Sequence, residues 1–170
     1  MTLYAIRPGS ETGDLDDTEV VRQPPSAESL EDVEVVDEFR YGWGFLEQAI
    51  TLWRLVDNAR ADEIKSVVER ASLAAGDGEL RLYRPDLEEL VRLLTGIENA
   101  IIEAKIVDQH WRVPVERLED LAKRVPAMDL TTDRPLHSRT SALGEVMINA
   151  VFLRSFLSDA VRTGCVVVHG

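Results

Sequence analysis

The chain has 170 residues, 45% of them hydrophobic, and a net charge of -12 from 19 basic and 31 acidic residues. This length suits one domain with a hydrophobic core and leaves little room for two. The negative charge excludes ordinary nucleic-acid binding, because phosphates would be repelled unless basic residues were segregated on one surface, and the sequence shows no such group.

The N-terminal part divides into a short strand and an acidic segment. Residues 1–8, MTLYAIRP, alternate as a strand does and end at a proline-glycine pair. Residues 1–40 hold 11 acids against three Arg, a net charge of -8, and most of these acids lie in residues 9–34. Those residues include almost no large apolar side chain to offset the entropy of ordering, so we predict an acidic linker or extended segment.

Residues 35–170 are predicted to form a single helical domain. Apolar residues recur there at spacings of three and four, which is typical of helices that face a core. The predicted helices lie at about Val35 to Asn58, Arg60 to Ala75, Pro85 to Trp111, just after Pro114, and Leu136 to Thr163. The last is the most apolar, and we expect it at the centre of the bundle.

Two further stretches indicate β structure. GELRLYRP, residues 78–85, predicts a short strand or an extended connector, and CVVVH, residues 165–169, predicts a strand. A lone strand leaves its backbone groups unpaired, so CVVVH is expected to pair with LYAIR or with LRLYR. The predicted fold class is therefore mainly α, a bundle of about five helices with a minor β element near the termini.

The stretch EAKIVDQHW, residues 103–111, combines acids and a histidine in the manner of a helical metal site. On a helix, however, Glu103 and His110 would be roughly 10.5 Å apart along the axis, too far for one metal ion. Asp108 and His110 would point to nearly opposite sides. We therefore predict a solvated face here, with Asp108 held in an ion pair by Arg112, four residues further on.

Two other polar residues interrupt apolar helix faces. Glu98 falls at the edge of the core stripe, where we expect a pair with Lys105. Asn149 lies within VMINAVFL on the last helix, and a buried Asn usually satisfies backbone or side-chain partners. With Asp108, these residues are the candidates for a buried polar or ligand-binding role.

No catalytic constellation is predicted. His137 and His169 lack a neighbouring acid and nucleophile, and Cys165 lacks the local signature of a catalytic thiol. The glycine-containing stretches do not match a phosphate-binding loop. We therefore predict no catalytic residue, no metal and no cofactor.

The sequence also indicates a compartment. A single cysteine cannot form an internal disulfide, which favours a reducing environment. No apolar run approaches the roughly 18 residues of a membrane span, and no signal-peptide pattern is present. We therefore expect a cytoplasmic protein without membrane association.

These observations favour a non-enzymatic, acidic protein-interaction module, of inhibitor, immunity or adaptor type, that binds a basic partner surface. Its predicted partner-binding residues are the acids of the N-terminal segment, Asp14, Asp16, Asp17, Glu19, Glu28, Glu31 and Asp32. A solubilising linker is the other interpretation of that segment. Two alternative functions stay open: a helical enzyme or small-ligand receptor with a pocket between helices, and a structural homo-oligomer subunit.

Overall fold

The computed structural model describes residues 2–7, 34–40, 45–75, 80–124 and 136–169. Within these ranges the chain forms five helices and one four-stranded antiparallel sheet. The strands are β1 (Thr2–Ile6), β2 (Val35–Arg40), β3 (Arg81–Leu82) and β4 (Val166–His169). The helices are α1 (Phe45–Trp53), α2 (Asn58–Ala75), α3 (Arg84–Glu103), α4 (Val115–Arg124) and α5 (Leu136–Thr163). The predicted mainly α class is confirmed.

The sheet has the strand order β2-β1-β4-β3. The predicted pairing of CVVVH is confirmed for both suggested partners, since β4 lies between β1 and β3. The expectation that β structure stays near the termini is wrong, because β2 and β3 come from the interior of the chain. Both contribute edges of the sheet.

The first predicted helix is wrong over its N-terminal part. Residues 35–40 form β2, and α1 spans only Phe45–Trp53, so it also ends before the predicted Asn58, which begins α2. Two β-branched residues open β2, and its pairing with β1 aligns Phe39 with Leu3. Phe39 thereby reaches the core, where its ring lies 5.9 Å from that of Phe156. Its apolar spacing to the residues of α1 therefore reflects a shared core and not a continuous helix.

The third predicted helix ends earlier than expected, at Glu103 instead of near Trp111. Lys105 and Trp111 both have left-handed backbone conformations, with φ of 49° and 57°. Between them, the Asp108 carboxylate accepts backbone N–H groups and so competes with helical hydrogen bonding. The other helices agree closely with prediction, including α5 over its full length.

Helix α5 packs against α1, α3 and α4 and against β2 and β4, as its predicted central position requires. Its buried residues include Leu143, Met147 and Leu157. Gly144 is also buried, at a close approach of two backbones: a Cβ there would overlap the Trp111 carbonyl oxygen. The loop after α3 is thus packed against the N-terminal half of α5.

Candidate functional site

Glu98 forms an ion pair between two packed helices. Arg154 Nε on α5 donates to Glu98 Oε2 on α3 at 2.7 Å, and the side chains are 30% and 20% exposed, respectively. The predicted pair with Lys105 is wrong: Lys105 is exposed beyond the end of α3. Because its charge is already compensated within the fold, Glu98 serves to connect α3 with α5.

Asp108 organises the loop after α3. Its Oδ1 accepts the backbone N–H of His110 at 2.8 Å and that of Arg112 at 2.9 Å. The hydrogen bond from Arg112 is the main reason that the pKa of Asp108 lies below its ordinary value of 3.8. Arg112 is the predicted partner, but it contributes its backbone N–H in place of the predicted ion pair. The Asp108 side chain is exposed.

Asn149 is half-buried on α5. Neither it nor Glu98 nor Asp108 lines either of the two pockets described below. Neither of these two pockets therefore brings the three candidates together.

The seven predicted partner-binding acids lie outside the described residues. The points where the acidic segment leaves and rejoins the fold are nevertheless described. Arg7 follows β1 and Glu34 precedes β2; the Arg7 backbone N–H donates to the Glu34 carbonyl at 3.1 Å, and their side chains form an ion pair at 2.9 Å. The segment therefore starts and ends at two neighbouring strands, at one edge of the sheet.

Strand β2 presents an exposed mixture of apolar and acidic side chains. Val35 and Val36 are 42% and 38% exposed, and Asp37 and Glu38 beside them are also exposed. Sequence reasoning missed this surface because it assigned the residues to a helix. The signal that could have found it is the adjacent pair of β-branched residues directly after the acidic segment.

Some backbone N–H and C=O groups of β2 point away from the sheet. Successive residues of a strand direct their backbone N–H and C=O groups to opposite sides. The His169 N–H donates to the Leu80 carbonyl beside β3, so the backbone groups of the adjacent Val168 point to β1, where Val168 is paired with Tyr4. The backbone groups of Tyr4 therefore form hydrogen bonds with β4 and not with β2. Glu38, which faces Tyr4 from the other side, has its N–H and C=O directed outward.

A pocket of about 180 Å³ lies between β2 and the C-terminal end of α5. We call it the β2–α5 pocket; its lining residues are Ala5, Val36, Asp37, Asp159, Ala160, Arg162 and Thr163. Arg162 pairs with Asp159 at 3.0 Å. Asp37 accepts the outward Glu38 N–H at 2.8 Å and pairs with no cation among the described residues. The pocket thus holds one carboxylate more than it holds cations.

A second cavity, of about 40 Å³, lies between the sheet and the helices. All of its lining residues are apolar: Leu3, Phe39, Leu46, Ile64, Val68, Leu80, Leu82, Leu90, Leu94, Leu153 and Leu157. Pockets that enclose small molecules usually measure about 300–1,000 Å³ and contain a few polar groups. This cavity is therefore far smaller than such pockets and lacks their polar groups.

Within the described ranges, no three His, Cys, Asp or Glu side chains are grouped so that they could hold a metal ion. None of the described helices combines the length and apolar character needed to cross a membrane. No protein-family model matches the chain, and neither a curated protein nor a solved structure is significantly similar to it. Function is therefore inferred from the surface itself.

Proposed function

We propose that the protein is a non-enzymatic interaction module that binds a protein partner with a basic surface. The observation that carries this proposal is the exposed side of β2, where Val35 and Val36 adjoin Asp37 and Glu38. The valines offer apolar area that a partner would cover, and the carboxylates favour a partner of opposite charge. Specific interfaces combine these two features.

The acidic segment supports the same proposal by its position. Residues 9–34 return to the fold at β2, because Arg7 and Glu34 hold the ends together. Glu34, the last residue of this acidic segment, directly precedes the exposed Val35. Charges act over about 8–10 Å at physiological ionic strength, so the segment would accelerate encounter with a basic partner and make it sensitive to salt.

The alternative functions have weaker support. An enzyme or receptor needs polar groups that converge on a cavity, whereas Glu98 is paired with Arg154. The polar β2–α5 pocket, of about 180 Å³, is smaller than the roughly 300–1,000 Å³ of pockets that enclose small molecules. A homo-oligomer needs a contiguous apolar surface. Among the described residues, the other large exposed apolar side chains lie on four different helices: Leu73, Ile102, Val115 and Phe152.

A direct test compares two sets of charge-neutral variants of the full chain. The edge variant combines Glu34→Gln, Asp37→Asn and Glu38→Gln. The control variant makes the same change of charge at three exposed acids away from β2, Glu103, Glu116 and Glu145. A partner captured from host lysate by the wild-type chain is purified, and its Kd is measured by calorimetry at low and high salt.

We expect the edge variant to weaken binding at least about tenfold, and the control to change Kd less than about twofold. Binding of the wild-type chain should weaken at high salt. Equal losses in both variants, or failure of the folded wild-type chain to retain any stoichiometric partner, would overturn the proposal.

A second variant separates the two interpretations of the acidic segment. Deleting residues 1–34 would remove β1, which lies between β2 and β4, so the segment is better neutralised than deleted. The variant changes each acid to its amide at Asp14, Asp16, Asp17, Glu19, Glu28, Glu31 and Asp32. A slower association rate with unchanged thermal stability would support partner binding, and an unchanged rate would support a linker.

A further inference from the structure

We propose that the partner contributes an extended basic segment, which binds as an added strand on the outer edge of β2 and places a Lys or Arg side chain in the β2–α5 pocket. This inference rests on the proposed function and specifies how the basic partner is recognised. Strand addition requires backbone hydrogen bonds between β2 and the partner, whereas charge attraction alone does not.

The backbone of β2 provides the pairing groups. Glu38 directs its N–H and C=O away from β1, and the alternation of the strand gives Arg40 the same direction. The strand is six residues long and therefore offers an edge of about 20 Å. In the described part of the chain its only strand neighbour is β1, on the other side.

The β2–α5 pocket provides charge selectivity. Asp37 and Asp159 line it together with a single cation, Arg162, which pairs with Asp159. The Asp37 carboxylate therefore stays available for an ammonium or guanidinium group that enters beside β2. Val36 lines the same pocket and can pack against the aliphatic stem of such a side chain.

Asp37 also makes the edge selective. In the free protein its carboxylate accepts the outward Glu38 N–H, so it occupies one of the groups that an added strand must use. Strand β2 contains charged residues and a bulge. Both features protect sheet edges from indiscriminate pairing. A basic side chain would draw the carboxylate away and free the N–H for the incoming backbone.

A second copy of the chain fits this edge less well than a basic segment does. A two-fold pair of β2 strands centred on Glu38 would place that carboxylate opposite its own copy, which is unfavourable. A shifted pair that matches Glu38 with Arg40 would overlap β2 only from Glu38 to Arg40. Neither arrangement supplies a cation to Asp37.

The probes are two synthetic ten-residue peptides of alternating Lys and Val, identical except that one carries an N-methyl group at every backbone nitrogen. The methylated peptide has the same charge but can donate no backbone hydrogen bond from either edge, so it cannot form a strand ladder. Each is added to the full chain, and amide hydrogen exchange of β2 is followed by NMR together with the Kd.

We expect the unmodified peptide to slow exchange at Glu38 and Arg40 at least about tenfold, and the methylated peptide to leave both rates unchanged. Asp37→Asn, which keeps an acceptor for the Glu38 N–H but removes the charge, should weaken binding about tenfold. Glu145→Gln, an exposed change on α5, should not affect it.

Three outcomes would overturn the inference. Equal binding of both peptides would show charge attraction without strand addition and leave the proposed function standing. Protection of β2 that rises with protein concentration and needs no peptide would identify a second copy as the occupant. Absence of peptide binding, with lysate capture still dependent on the edge acids, would reject the strand mode alone; loss of that capture as well would reject the proposed function.

Discussion

Strands β4 and β2 both pair with β1, but they meet opposite environments. In β4, Val167 and Val168 are 0% and 1% exposed, whereas Val35 and Val36 of β2 are 42% and 38% exposed. The same residue type thus stabilises the core in one strand and adjoins solvent in the other. The position of a strand in the sheet, and not β propensity, therefore decides whether its valines are buried.

The largest loss of stability is expected for a charge introduced into the buried strand β4. Val167→Asp would place an uncompensated charge in the core, at a cost above about 4 kcal/mol, so we expect the variant not to fold. Val36→Asp, the matched change on β2, should cost less than about 1 kcal/mol. Urea unfolding followed by circular dichroism measures both, and similar losses would contradict the distinction between the strands.

Gly144→Ala tests the close packing of the helix that leads into β4. Its Cβ would overlap the Trp111 carbonyl oxygen, so we expect a loss of about 1–3 kcal/mol. In an unobstructed position the same change usually stabilises by a few tenths of a kcal/mol or more, so the sign is informative. Ser155→Ala, an exposed change on α5, serves as the control in thermal unfolding.

The Asp108 carboxylate stabilises the fold and in this respect differs from the exposed acids of β2. Because folding lowers its pKa from the ordinary value of 3.8, its charge contributes stability above that value, and the contribution is lost as pH falls through the lower folded pKa. Asp108→Asn should therefore be less stable than wild type near neutral pH. Urea midpoints across pH check this, and a difference that persists in strong acid would contradict it.

The smallest effect on stability is expected for substitution of an exposed valine on β2. Val36→Thr should change the free energy of unfolding by less than about 0.5 kcal/mol. It should nevertheless weaken binding of the Lys/Val peptide by about twofold to fivefold, because the valine packs beside the incoming strand. Calorimetry on a variant shown to be folded separates the two effects; unchanged affinity would remove Val36 from the binding surface.

The helices could be predicted from sequence where one local pattern decided the outcome. Helix α5 is apolar over much of its circumference, and Pro114 immediately precedes α4. The end of α3 could not be predicted in this way, since Ile106 continues its apolar spacing. Hydrogen bonds to the Asp108 carboxylate and the left-handed residues of that loop end the helix.

The surface around β2 depended on contacts that local patterns do not contain. Phe39 has helical spacing to α1, but pairing with Leu3, far away in sequence, fixes it in a strand. Glu98 likewise pairs with Arg154, 56 residues away, and not with nearby Lys105. The acidity near this edge was evident in the sequence, whereas the pocket formed by Asp37 and Asp159 required the fold.

The strand order also constrains how the protein folds during synthesis. Strand β1 is made first, but one of its two sheet neighbours, β4, is the last described element of the chain. The ribosome must therefore release β4 before the centre of the sheet can close, and such long-range pairing is intrinsically slow. Until then β2 is the only native neighbour available to β1 among the described strands, and the other edge of β1 lacks its native partner.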